Sequence, residues 1–368
     1  MMAPVLLIDV LREPARIRGL GPAQWDLLVR QARHANLLGR LHAILARADL
    51  LDAVLPAALV HLRSAAVLAE RQHQSVRFET AKLRDTLAGL GTPLLLLKGA
   101  AYVAAGLPAS LGRVFADVDI LVPRARLSEA ESALLLTGWI GAVHDAYDQR
   151  YYREWMHELP AMRHMERGTA LDVHHTILPP TARLHPDPAL LFEAAVALPD
   201  LPGVAVLAPT DMVLHSATHL FFDGEVDNLL RDLSDLDLLL RHFGAAPAFW
   251  LALVARARRL ELTTPLRLAL RHCRRVFATP IPAETFAAVA AERAVPLLDF
   301  VYARALRPPH ASAADRFSRL AARLLYLRGH WQRMPPLQLA RHLMHKALFP
   351  PRPQHVPLPR AADPGDAR

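Results

Sequence analysis

A chain of 368 residues is long enough for about two domains and a sizeable buried core, so one undivided hydrophobic centre is not expected. Its 52% hydrophobic content is carried mainly by Ala and Leu with 6% aromatics, which favours helix, and a net charge of +8 would ordinarily suggest a polyanionic partner. Lys stands only at 82, 98 and 346, however, so the basicity is nearly all Arg and reflects a GC-rich coding bias more than a nucleic-acid face.

The opening residues 1–20 are broken by Asp9, Arg12 and Glu13, which fits neither a signal peptide nor a membrane span. From residue 24 to about 90 apolar residues recur at helical spacing, as in Leu27, Leu28, Ala32 and Leu37, Leu38, Leu41, with Pro56 interrupting. One long helix is predicted over 65–90, ended by Gly89 and Gly91. At 92–97 the character changes to a short apolar run, read as a buried strand that ends in Lys98-Gly99. A helix over 100–105, a strand over 114–122, a helix over 127–136 and a strand over 139–144 follow. Strands over 150–157, 159–165 and 170–176 complete the sheet, with Gly168 in the last turn. After Pro179-Pro180 the pattern returns to helices, at 211–222, 226–243, 247–259, 265–277 and 282–304. Turn signals at 307–312 precede a last basic helical stretch, and the Pro-rich chain from Phe349 is expected to be disordered.

This reading is an α+β fold, a small mixed-sheet core flanked by N- and C-terminal helical regions. The expected divisions are a helical region at 1–90, the core at 91–178, a helical domain at 179–348 and a tail at 349–368. Cys273 is the single cysteine, which excludes an intrachain disulfide and a cysteine-held zinc, and with the absence of a leader points to the cytoplasm.

The chemistry sits in Phe115-Ala116-Asp117-Val118-Asp119-Ile120-Leu121-Val122. Residues two apart on a strand share a face, so Asp117 and Asp119 project together while Val118 and Ile120 pack inward. Adjacent carboxylates repel unless a cation lies between them, and hard oxygen donors of this kind suit magnesium. A third carboxylate stands in Leu171-Asp172-Val173-His174-His175, with Asp172 and His174 on one face of a later strand. If the two strands are neighbours, the three acids can hold two metal ions. Lys98-Gly99, a strand end running into a helix start, offers backbone amides to phosphate, with Lys98 and Arg113 adding positive charge.

The ordered set Leu97-Lys98-Gly99, Arg113-x3-Asp117-Val118-Asp119-Ile120-Leu121-Val122 and Asp172-Val173-His174 resembles the nucleotidyltransferase superfamily. Most closely it is similar to a bacterial family of uncharacterised nucleotidyltransferase-like proteins, over roughly 94–240. The resemblance implies three carboxylates and two Mg2+ ions, with Mn2+ as a substitute, transferring a nucleoside monophosphate from an NTP, ATP foremost, to a hydroxyl. In those terms Asp117, Asp119 and Asp172 are the catalytic and metal-binding residues, and Asp172 helps deprotonate the acceptor. Lys98, Gly99, Arg113 and His174 bind nucleotide. The superfamily's Gly-Ser at the helix start is Gly99-Ala100 here, leaving the cradle to backbone amides and Lys98.

The acceptor, a small molecule or a peptide or protein hydroxyl, is left open; nucleic acid is not favoured, because the basic helices carry little aromatic interleaving. No membrane partner is expected. The alternative is a catalytically silent module of the same fold that binds a nucleotide, nucleic acid or protein. His215 and His219, four apart on a predicted helix, are read as packing residues, and the acidic stretch 223–237 as mostly a solvated face from which Arg231 and Asp235 can reach the cleft.

Overall fold

In a computed structural model of the chain, the described residues are 5–141, 152–153, 155–222 and 228–333. The N-terminal helices are α1 (Leu6–Arg12), α2 (Pro22–His34), α3 (Leu38–Arg47) and α4 (Pro56–Leu87). α4 is longer than the sequence suggests. Pro56 occupies its first turn, where the missing N–H has no intrahelical partner to lose, so this proline starts a helix instead of interrupting one.

The sheet begins with β1 (Leu94–Leu96), followed by α5 (Lys98–Ala104), β2 (Asp117–Leu121), α6 (Leu127–Leu136), β3 (Trp139–Gly141), β4 (Met162–His164) and β5 (Ala170–His174). After a short helix α7 (Pro188–Glu193) come β6 (Val196–Ala197) and β7 (Val204–Val206). The seven strands lie in the order β3-β4-β5-β2-β1-β7-β6. β2 runs parallel to β5 and antiparallel to β1, while β1 runs parallel to β7, so the sheet is mixed.

Two of these strands lie beyond residue 178, where the sequence pattern was read as helical throughout. β7 follows Gly203, whose φ of +82° makes the turn, and all three of its residues are buried beside β1. The strand predicted over 150–157 is not formed by its described part: Tyr152, Arg153 and Trp155 are helical. What pairs is the next residue, Glu158, in an isolated antiparallel bridge to His174. Residues 142–144 of the strand predicted over 139–144 lie outside the described residues.

C-terminal to the sheet stand α8 (Pro209–Phe222), α9 (Leu229–Phe243), α10 (Pro247–Arg259), α11 (Thr263–Phe277), α12 (Ala283–Ala288), α13 (Pro296–Ala305) and α14 (Ser318–Arg333). The single helix predicted over 282–304 is two, because Pro296 takes the first turn of a new one. No helix among the described residues is long and apolar enough to cross a membrane. The Pro-rich tail from Phe349 lies outside the described residues.

The apolar core differs from the expectation of separate centres. One continuous cluster of buried side chains runs from Leu7 through Leu95, Ile120 and Leu214 to Leu325. Two close approaches fasten the N-terminal helices to the loop before β2 and to α9. Gly39 on α3 and Gly112 meet backbone to backbone, with no room for a Cβ on either, and Gly112 has a φ of +62°. Beside them Arg40, 1% exposed, reaches across to Asp235 on α9 at 2.7 Å.

Candidate active site

The register of β2 against β5 builds the centre of the site. Asp119 lies directly across from Asp172, Asp117 across from Ala170 and Leu121 across from His174. Because partners in register on neighbouring strands share a face, Asp119 and Asp172 project to the same side, with Asp117 one step before and His174 one step beyond. Val118, Ile120, Leu171 and Val173 fill the opposite side as core. Donor atoms of Asp119, Asp172 and His174 lie within 4.8 Å of one another.

Asp119 is 4% exposed and accepts at one oxygen, Oδ1, from Lys98 Nζ at 2.9 Å and from His174 Nε2 at 3.0 Å. Burial alone would push this carboxyl up, but the ammonium and the imidazole override it and hold the group well below the ordinary Asp range. Asp117 has no such contacts among the described residues. Burial, and then the charge on Asp119, raises its carboxyl above the ordinary value against weaker opposition from Lys98, Arg113 and Arg231. The two acids are thus driven apart in proton affinity, as mutually repelling groups are when a single cationic neighbour favours one of them.

Lys98 reaches Asp119 from the first residue of α5 with a φ of +43°, an uncommon conformation for a residue with a side chain. A backbone held this way costs on the order of 1 kcal/mol or more. Gly99 follows for a steric reason: a Cβ there would overlap the Phe115 ring and the Arg113 guanidinium. The Arg113 guanidinium lies 5.0 Å from the centre of the Phe115 ring.

Arg113 is engaged with acids of α9. It donates from Nε to Asp235 at 2.7 Å, stands 4.0 Å from Asp232 and is 8% exposed. Burial would lower it, but Asp235 and Asp232 hold it well above the ordinary Arg value. Asp235 also receives Arg40, so it sits between two guanidiniums and stays below the ordinary Asp range despite its burial. Arg231 pairs with Asp232 at 2.8 Å.

These residues wall a cavity of about 400 Å³. Its lining includes all seven residues singled out from sequence: Lys98, Gly99, Arg113, Asp117, Asp119, Asp172 and His174. The helices supply what the strand pattern could not show. Tyr102 comes from α5, Ser216 and His219 from α8, and Arg231, Asp232 and Asp235 from α9. The acidic stretch set down as mostly a solvated face is, in its described part, largely buried, with Asp232, Asp235 and Asp237 between 2% and 9% exposed, while Arg231 and Asp235 line the cleft they were read as able to reach. His215 and His219 both face the acids closely enough to feel Lys98 and His174, and burial pushes both imidazoles well down, so they stand neutral. Their spacing on the helix was the available signal, and it was read as packing.

Two more residues went unseen. The chain over 157–159 runs along β5: His175 N donates to His157 O at 2.8 Å and Leu159 N donates to Val173 O at 2.9 Å. That pairing sets Glu158 against His174, with Oε2 3.4 Å from Nδ1, and brings the His157 ring to 5.2 Å from the His174 ring, centre to centre. The basic helix faces read from sequence contribute to the cavity through His330 and Arg333 of α14.

Chemically, the donor set fits hard divalent cations. Carboxylate oxygens from neighbouring strands converge, and the carboxyl of Asp117 is held up by burial and then by the negative charge of Asp119, which a cation would offset. The family model described as uncharacterised nucleotidyltransferase matches residues 21–278, a span that takes in the whole sheet and the helices from α2 through α11. No curated protein and no solved structure matches the chain.

Proposed function

Since the chain belongs to the uncharacterised nucleotidyltransferase family, we propose that it transfers a nucleoside monophosphate from an NTP, ATP foremost, to a hydroxyl of a small-molecule, peptide or protein acceptor. The observation that carries this reading is Asp119 facing Asp172 in register on parallel neighbours, at the wall of a cavity that also holds Asp117 and Lys98. Asp117, Asp119 and Asp172 would hold Mg2+ or Mn2+, and the ions when bound would offset charge on the phosphates and brace the departing pyrophosphate.

The remaining roles belong to the chain. Asp172, part-buried at the same wall, accepts the proton of the acceptor hydroxyl as the new bond to the α-phosphorus forms. Lys98, fixed by Asp119, presents a cation at the phosphates, with the Gly99 backbone beside it. Arg113 adds a fixed positive field, since its pairing with Asp235 leaves the guanidinium no freedom to follow a substrate. His174, held through Nε2 by Asp119, orients that carboxylate and bounds the substrate space.

The test is incubation of the purified chain with α-labelled NTPs, divalent metal and a fractionated cell extract. Label in a new covalent product together with pyrophosphate release supports the proposal. One observation favours a second reading, a nucleotide-binding module without turnover: two of the cations at the cavity, Lys98 and Arg113, are already paired with carboxylates. Calorimetric binding of NTP with magnesium, with no pyrophosphate released across the extract fractions, would establish the module and overturn the transferase.

A further inference from the structure

His174 has a carboxylate oxygen on each side of its ring. Asp119 Oδ1 is 3.0 Å from Nε2, in hydrogen-bond geometry, and Glu158 Oε2 is 3.4 Å from Nδ1. With Nε2–H donating to Asp119, a neutral ring turns the Nδ1 lone pair toward a second set of lone pairs on Glu158. Nδ1 is fully buried and makes no hydrogen bond, so Glu158 is out of line for an N–H donor even if the ring carries a second proton. A buried ring nitrogen without a hydrogen bond and a carboxylate oxygen 3.4 Å away are disposed to share a metal ion.

We propose that His157, Glu158 and His174 form a three-donor site for a divalent transition-metal ion of the zinc class, adjoining the carboxylate site across the His174 ring. Donor atoms of these three residues lie within 4.8 Å of one another. The 3.4 Å between His174 Nδ1 and Glu158 Oε2 is the spacing of two ligands each about 2.0–2.1 Å from a tetrahedral ion. Two imidazoles and one carboxylate suit zinc, cobalt or iron better than magnesium, which takes oxygen. Asp119 completes the pattern from behind, because a ligating imidazole commonly gives its other N–H to a carboxylate that fixes its orientation. The backbone prepares the site, since the bridge between Glu158 and His174 and the bond from His175 N to His157 O set all three donors before any ion arrives. All three residues line the 400 Å³ cavity, so a fourth coordination position would open toward the substrate space.

The probe is Co2+ added to the full chain after exhaustive chelation, read by its visible d–d absorption, with 5–10 mM Mg2+ present throughout as about the level that fills oxygen sites. One equivalent should bind with nitrogen-type bands that the magnesium leaves in place. His157→Ala and Glu158→Gln should each raise the dissociation constant by about tenfold or more, while Asp117→Asn changes it little. X-ray absorption of the zinc-loaded parent should show scattering from two imidazole rings, a measurement that needs no variant to fold. Absence of cobalt binding, displacement by magnesium, equal binding in folded His157→Ala and Glu158→Gln proteins, or an oxygen-only shell overturns the site. None of these outcomes depends on nucleotidyl transfer.

Discussion

Asp235→Ala removes the one carboxylate that two buried guanidiniums share. Arg40 loses a 2.7 Å bond and Arg113 another of 2.7 Å, from side chains that are 1% and 9% exposed. What remains to Arg40 is Ser234 Oγ at 3.0 Å, Leu111 O at 3.3 Å and Ala109 O, all neutral, and to Arg113 the more distant Asp232. Breaking a buried pair by removing one partner costs about 3–5 kcal/mol, because a charge is left in low dielectric without compensation. With Asp232 still 4.0 Å from Arg113, most of the loss falls on Arg40, and the sum belongs within that range, not at twice it. Asp235→Asn keeps acceptor geometry for one guanidinium and should lose about half as much. Urea denaturation followed by circular dichroism measures both, and a cycle with Arg40→Met isolates the pair, since the double variant should recover part of the loss. A stability within about 1 kcal/mol of the parent for Asp235→Ala would refute the argument that this carboxylate neutralises the junction.

Asp119→Asn should leave the circular dichroism spectrum unchanged and lower nucleotidyl transfer by about 10²–10³-fold, read as pyrophosphate release; normal turnover would remove Asp119 from the chemistry. Asp117→Asn should stabilise the metal-free protein. The Asp117 carboxyl is raised in the folded state, so its ionised form is a destabilising load that is present above the folded value and relieved as pH falls and the group protonates. The gain from Asn should therefore appear near neutrality and fade into the acid range, and denaturation at several pH values checks the sign. For Asp119 the sign is opposite: its depressed value contributes stability present above the ordinary Asp range and lost as pH falls through the folded value. Gly99→Ala should cost about 1–3 kcal/mol, since Phe115 and Arg113 must give way to the new methyl group, measured by the same denaturation. Cys273, fully buried with its thiol pushed well up by burial, should resist alkylation in the native protein and react with one equivalent of reagent in denaturant.

What could be read from the chain was what is local. Alternation along 117–121 sets Asp117 and Asp119 on one face without any tertiary knowledge, and the same rule pairs Asp172 with His174. That β5 pairs with β2 stood only as a condition in the sequence, and both the pairing and the register of Asp119 on Asp172 needed coordinates. Arg113 shows the limit. Its position before the strand suggests a phosphate ligand, yet its partners are 119 and 122 residues further on, at Asp232 and Asp235, and nothing within its own segment announces them. His157 was read as the end of one strand and Glu158 as the break before the next; their meaning comes from lying beside His174. β7 was missed because three apolar residues between a glycine and a helix give no period to detect, although Val204 and Val206 flank a residue of modest size in a strand-like run.

The partner of Arg40 lies 195 residues further along the chain, and the strand that flanks β1 in parallel begins at Val204. A growing polypeptide that has delivered the helices and the first strands to the ribosome exit therefore still lacks both the sheet's inner neighbour and the counter-charge for its deepest arginine. Long-range closure of this kind is slow and leaves apolar edges bare in the interval. The three acids consequently acquire their final surroundings late, after α9 has emerged, and a chain truncated ahead of that helix would carry Lys98, the three acids and His174 while lacking the carboxylates that face Arg40 and Arg113.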